Sequence, residues 1–310
     1  MQVHTDPCSL NLIRPSVSIG IFDGVHRGHQ NLIARLKSLA AQTQSQTLVI
    51  TFWPHPRIVL GKAGPEFKLL NSLEEKTDLL RNIGIDHFLI VQFTREFAGQ
   101  SPDQFLDNFV NKCIKPGIIT VGDDLRFGAG GSGNLELLIK SGKSNGFEVV
   151  RLETHTENEE RISSTRIRNC LLNGDLSAAN NLLGYPYFIT GQVVRGNRIG
   201  NTIGFPTANI ECPDTFKQIP SDGVYAVTVE WNGTPYKGML NIGIRPTLDD
   251  HSHKTIEVHL FDVSDDLYDQ KLRVHFIFRL RDEMKFNSLE ELRKQLAVDR
   301  KVSMELLEKY

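Results

Sequence analysis

Cysteine is sparse in this chain: the four present, Cys8, Cys113, Cys170 and Cys212, stand far apart, and no Cys-x-x-Cys pair occurs. That spacing suggests neither a zinc site nor a disulfide framework, so reduced, cytosolic thiols are the expectation. A dominant charge sign is missing too. Lysine and arginine number 35 against 37 aspartates and glutamates, a formal net charge of -2, and no basic stripe announces a nucleic-acid partner. Small anionic substrates remain open. No apolar stretch approaches a membrane span, and residues 1–15 hold no core of signal-peptide length, so the expected location is the cytoplasm. Repeats and low-complexity tracts are absent. The dinucleotide-binding fingerprint is absent as well: the first glycine cluster has other spacing, and no acidic residue closes a second strand about 20 residues on. A plain dehydrogenase is disfavoured.

What is present organises into two parts, since 310 residues exceed one ordinary core. Apolar runs at 17–22, 47–52, 87–93, 117–122 and 147–152 alternate with helical patterns around 29–41, 73–83, 103–112 and 133–145. That alternation predicts an α/β domain with a mainly parallel sheet wrapped by helices. Helical material between Ile167 and Leu183 then gives way to alternating segments at 187–194, 223–231, 236–242, 254–261 and 272–280. These predict an antiparallel barrel or sandwich, with domains at 1–183 and 184–310. Ser288 opens a final helix, with Glu291 as capping-box partner and Leu289, Leu292 and Leu296 on the expected buried face.

The densest motif is Ser18-Ile19-Gly20-Ile21-Phe22-Asp23-Gly24-Val25-His26-Arg27-Gly28-His29, followed by Leu32, Ile33, Leu36, Leu39 and Ala40 at helical spacing. Both histidines fall on the first helical turn, where backbone N–H groups and the helix dipole attract an anion. Gly20, Gly24 and Gly28 let the backbone turn tightly and approach a ligand. Phosphate chemistry is the expectation, against the plain alternative of surface caps and turn residues. Two further segments at strand ends are phosphate-compatible: Gly122-Asp123-Asp124-Leu125-Arg126-Phe127-Gly128 with Gly130, Gly131 and Gly133, and Ile162-Ser163-Ser164-Thr165-Arg166-Ile167-Arg168. Thr51-Phe52-Trp53-Pro54-His55-Pro56 offers aromatic surface for a planar ring, or a proline-rich turn packed on the core.

In the second half, Gly196, Gly200 and Gly204 punctuate a loop leading to Pro206-Thr207-Ala208-Asn209. It is either a long barrel turn or a phosphate cradle. Thr207 and Asn209 alternate with Ala208 and so point the same way, and a hydroxyl beside an amide oxygen suits a magnesium ion shared with ATP.

The segment from Phe22 to His29 resembles the first nucleotidyltransferase signature of the bacterial bifunctional riboflavin kinase/FMN adenylyltransferases, also called FAD synthetases, and residues 162–168 resemble the second. Gly204-Phe205-Pro206-Thr207-Ala208-Asn209-Ile210 resembles the magnesium- and ATP-binding signature of riboflavin kinases. Residues 241–247 and 281–286 match further family segments, so the likeness covers nearly the whole chain. It implies a Rossmann-like nucleotidyltransferase domain and a riboflavin-kinase barrel. Riboflavin and ATP would give FMN and ADP; FMN and ATP would give FAD and pyrophosphate. Mg2+ is the implied cofactor, with no nucleic-acid or membrane partner.

In the first domain the resemblance makes His26 and His29 catalytic, steadying the triphosphate and the transition state. It puts Gly20, Phe22, Asp23, Gly24, Gly28, Ser164, Thr165 and Arg168 at the ATP phosphates, and Asp124, Arg126 and Phe127 at the flavin. In the second it puts Gly196, Gly200 and Gly204 at ATP, Thr207 and Asn209 at the metal, and Glu257 as catalytic base. An FMN phosphate is already anionic and needs positioning more than a base, whereas riboflavin's terminal hydroxyl must lose a proton. Arg195 and Asn201 replace the His and Arg common in relatives, and Leu125 and Leu248 replace Phe, which touches nucleotide-loop and ring contacts. A different nucleotidyltransferase fused to an unrelated barrel would have no reason to keep Thr207, Asn209 and Glu257. A non-catalytic flavin-binding module would have none to keep these together with His26 and His29.

Overall fold

The computed structural model describes residues 1–123, 125–152, 156–157, 160–196, 204–245, 253–263 and 265–310, which divide into two compact units, Met1–Ser164 and Thr165–Tyr310. In the first unit, β1 (Gln2–His4), β2 (Ser16–Ile19), β3 (Thr47–Trp53), β4 (His87–Gln92), β5 (Ile118–Gly122) and β6 (Glu148–Leu152) form a parallel sheet in the order β1-β4-β3-β2-β5-β6. Alternate residues of β3 feed opposite faces: Leu48 and Ile50 join Val17, Phe105 and Phe109, while Val49 joins Ile33, Leu36 and Phe88. Burial on both faces is why the strands read as continuous apolar runs, each large side chain contributing about 1.5–3 kcal/mol. The order reverses at β2 and β5, and in such sheets ligands bind outside the carboxyl ends of the strands at that switch.

Several boundaries differ from the sequence reading. The strand expected over 17–22 ends at Ile19, because Phe22 takes a left-handed φ of +52° that leaves the ladder. The three-residue edge strand β1 is too short to show a period. The pattern at 103–112 is a short helix, Pro102–Gln104, running into a π-helix at Phe105–Ile114. That segment lies against the turn Pro7–Ser9 and pairs Cys113 with Cys8 in a disulfide, with Cα atoms 4.3 Å apart. The pairing corrects the expectation that all thiols are reduced: a separation of 105 residues carries no local signal, and only the folded chain joins the two.

Helix Ser164–Leu172 starts on the last residue of the first unit and continues in the second, where helix Leu176–Leu183 follows. After the short antiparallel pair β7 (Thr156–Glu157) and β8 (Glu160–Arg161) of the first unit, the strands β9 (Phe188–Val194), β10 (Ala208–Glu211), β11 (Gly223–Trp231), β12 (Thr234–Arg245), β13 (His253–Leu260) and β14 (Lys271–Arg281) of the second close an antiparallel barrel in the order β10-β13-β12-β11-β14-β9. The short strand β10 completes it, which decides barrel over sandwich. The terminal helix, Leu289–Glu308, is capped by the Ser288 hydroxyl, which accepts from the Glu291 N–H at 3.2 Å; the Glu291 carboxylate reaches the Asn287 N–H at 3.0 Å instead of completing the box. Its buried face starts later than expected. Leu289 is 59% exposed, and the helix is held lower down, where Leu307 is buried and Asp299 takes the Arg281 guanidinium at 2.7 and 3.1 Å. Among the described residues, no helix is long and apolar enough to cross a membrane.

Candidate functional site

At the carboxyl end of β2 the chain makes a strained turn into the helix Arg27–Gln42, with His26 as the N-cap residue and His29 in the first turn. Phe22 and Val25 have φ of +52° and +38°, rare for a non-glycine residue and a β-branched one, while Gly24 supplies a relaxed +85°. The two imidazoles stack with centroids 3.7 Å apart and planes 17° apart. Gly28 is small because a Cβ there would lie 3.2 Å from the His26 ring, and one on Gly20 would crowd the Phe22 ring at 3.1 Å. Burial holds the His29 imidazole well below its usual titration range, and repulsion from His26, Lys76 and Arg161 adds to it. Its buried Nδ1 makes no hydrogen bond among the described residues. A polar atom left unmatched beside a helix start is what a phosphate oxygen can satisfy.

Around this turn the structure gathers part of the expected set. The Ser164 hydroxyl donates to the Asp23 carbonyl at 2.8 Å, which brings the second signature to the first. The Asp23 carboxylate accepts the Leu70 N–H at 2.9 Å, so it builds the turn. Thr165 and Arg168 follow on the helix begun at Ser164, Arg168 donating to the Thr165 hydroxyl at 3.3 Å. After β5, Arg126 is exposed, whereas Phe127 is buried and packs on Phe105 at 5.2 Å between centroids. Asp124 lies outside the described residues, and Leu125 packs at the edge of the core. The segment after β3 splits between the two readings offered for it: Phe52 packs on Phe93 and Phe97, while Trp53 carries a lysine over its ring. That lysine, Lys76, was not singled out by sequence reasoning. It is 2% exposed and donates to the Ile21 carbonyl at 2.7 Å, and burial draws its pKa down to about 8. Within a helical pattern it reads as one more surface lysine.

On the barrel, register does the assembling. Asn209 of β10 pairs with Glu257 of β13, and Glu257 pairs on its other side with Asn241 of β12. Paired residues share a face. The Thr207 hydroxyl donates to the Glu257 carboxylate at 3.2 Å, so the three predicted side chains come together. A Cβ on Gly196 would overlap the Asn209 carboxamide, so this glycine leaves the room that amide occupies. Gly204 has φ of +81°; Gly200, Asn201 and Leu248 lie outside the described residues. The His259 ring went unread in the sequence: it donates from Nδ1 to the Pro206 carbonyl at 2.7 Å, steadying the segment before Thr207; Asn241, which opens the family segment 241–247, donates to Glu283 of the segment 281–286 at 3.2 Å. Hydroxyl, amide and carboxylate oxygens form a hard donor set that fits Mg2+ together with phosphate oxygens. Among the described residues no group of three His, Cys, Asp or Glu side chains offers a separate metal cage.

Comparison with known proteins adds to this geometry. The FAD synthetase family pattern matches residues 11–166, and the riboflavin kinase family pattern matches residues 183–307. A bifunctional riboflavin kinase/FMN adenylyltransferase of Listeria monocytogenes is 38% identical over 93% of this chain and 90% of its own length. One from Escherichia coli is 40% identical over 91% and 90%. A solved structure from Streptococcus pneumoniae, described as a macrolide-efflux protein, superposes with a TM-score of 0.88 at 32% identity, covering 98% of each chain.

Proposed function

This chain belongs to the bifunctional riboflavin kinase/FMN adenylyltransferase family, and from that premise we propose how its residues divide the making of FMN and FAD. Its substrates and products are riboflavin, FMN, FAD, ATP, ADP and pyrophosphate. Residues 184–310 carry the kinase and residues 1–183 the adenylyltransferase, and both work in the cytoplasm.

In the kinase, the Glu257 carboxylate takes the proton of riboflavin's terminal hydroxyl as that oxygen attacks the γ-phosphorus of ATP; the O–P bond to the flavin forms, the bond to ADP breaks, and FMN departs. Thr207 and Asn209 would hold Mg2+, which would neutralise phosphate charge. Gly196, Gly200 and Gly204 let the loop backbone approach the nucleotide. What supports this most is the register pairing of Asn209 with Glu257, with the Thr207 hydroxyl on the same carboxylate.

In the adenylyltransferase, an FMN phosphate oxygen attacks the α-phosphorus of a second ATP and pyrophosphate leaves. No proton need be removed, so the work is positioning and charge stabilisation. His26 and His29 donate to the triphosphate from the helix start. Ser164, Thr165 and Arg168 hold the departing pyrophosphate, while Gly20, Phe22, Asp23, Gly24 and Gly28 shape the turn. Asp124 and Arg126 meet FMN, with Phe127 underpinning their loop from the core. The test is incubation of the purified chain with riboflavin, ATP and Mg2+, following both flavins in time. FMN should appear first and FAD after it, and chelation of the metal should stop FMN formation. Accumulation of neither flavin would overturn the reading.

A further inference from the structure

We propose that Lys76 is a positioning residue of adenylyl transfer, its buried side chain holding the Ile21 carbonyl so that the histidine-bearing turn keeps its left-handed backbone. The inference rests on the role given above to that turn. Lys76 lies on the helix Leu73–Ile83, with its Nζ 2.7 Å from the Ile21 oxygen and 5.6 Å from the centre of the Trp53 ring. Ile21 immediately precedes Phe22, whose φ is +52°, and Val25 follows at +38°. Non-glycine residues persist in such conformations only where the surroundings hold them.

Several ties hold this turn. Thr51 Oγ1 donates to the same Ile21 carbonyl at 3.0 Å, Gln30 Nε2 to the Val25 carbonyl at 2.9 Å, and the Ser164 hydroxyl to the Asp23 carbonyl at 2.8 Å. Lys76 adds a cation to these ties. A neutral donor would satisfy one carbonyl without the cost of taking an ammonium out of water, so the retained charge calls for a reason. The turn supplies one: it must face a polyphosphate, and a fixed buried positive charge beneath it favours that anion. The same charge opposes protonation of His29.

Among the described residues, the charged groups acting on Lys76 or His29 include Asp23 on the turn, His26 at the start of the first helix, and Arg161 in the short strand Glu160–Arg161. Glu75, beside Lys76 on its own helix, is engaged with the Ser72 N–H at 3.0 Å. Burial lowers the Lys76 pKa to about 8, against the opposing pull of Asp23. The ammonium therefore loses its proton as pH rises through that value, and adenylyl transfer declines with it.

The test uses the full chain, whose riboflavin phosphorylation serves as an internal control. Lys76→Met keeps the length of the side chain and removes both donor and charge. Its kcat for FMN adenylylation should fall by about tenfold to a hundredfold with a smaller change in KM, while riboflavin phosphorylation stays within about twofold. The wild-type adenylylation profile should descend above about pH 8, and Lys76→Met should lack that limb. Undiminished adenylylation by Lys76→Met overturns the proposal. So does a flat wild-type profile through about pH 9, or a descending limb shared with riboflavin phosphorylation. Should thermal melting show that Lys76→Met unfolds the first unit, the wild-type profile decides alone. If His29→Ala keeps full adenylylation, the role of the turn itself fails; if His29→Ala loses it and Lys76→Met does not, only the role of Lys76 fails.

Discussion

His29 and Glu257 carry opposite demands. The first is a buried imidazole that its surroundings keep uncharged, suited to donating a hydrogen bond to a nucleotide that already bears the charge. The second must accept a proton from an alcohol. His29→Ala should therefore lower FMN adenylylation by about a hundredfold or more while riboflavin phosphorylation stays unchanged, as steady-state kinetics of both reactions will show. Glu257→Gln keeps shape and loses the base, so riboflavin phosphorylation should fall by about 10² to 10⁴ with FMN adenylylation intact. These residues were legible in the sequence because each sits in a dense motif. Lys76 and His259 were not. Their importance comes from what folding places over them, Ile21 and Trp53 for one, Pro206 and Phe205 for the other.

Among elements, the loop before β10 and the strand itself act together. A methyl group at Gly196 must displace the Asn209 carboxamide. Gly196→Ala should raise the Mg2+ concentration giving half-maximal riboflavin phosphorylation and leave FMN adenylylation as it was, which a metal titration of each reaction will check. The terminal helix depends on a buried pair instead: the Asp299 side chain is 4% exposed and Arg281 18%. Asp299→Ala leaves the guanidinium, among the described residues, only the Asp282 carbonyl and should destabilise the second unit by about 3 kcal/mol in urea unfolding. Strand runs such as Thr47–Trp53 and Gly223–Trp231 were readable because the first is a mainly apolar run and the second a long strand pattern bounded by turn residues. Element ends were less so. Phe22 looks like one more strand residue until its positive φ appears, Leu289 looks like a core leucine until the helix docks from Leu296 onward, and the Cys8–Cys113 pair has no local trace at all.

For the whole molecule, FMN is the product of one chemistry and the substrate of the other, while the residues proposed for the two belong to different motifs. Alternation of strands and helices announced the first sheet, and alternation within strands announced the barrel, because burial on two faces and on one face leave different patterns. Each half is proposed to complete its own reaction with its own residues, and FMN released by one to reach the other through solution. The direct measurement is complementation in trans, with riboflavin, ATP and Mg2+ given to His29→Ala, to Glu257→Gln and to an equal mixture of the two. FMN without FAD is expected from the first, neither flavin from the second, and FAD from the mixture. FAD formed by either variant alone, or a mixture that stops at FMN, would contradict this.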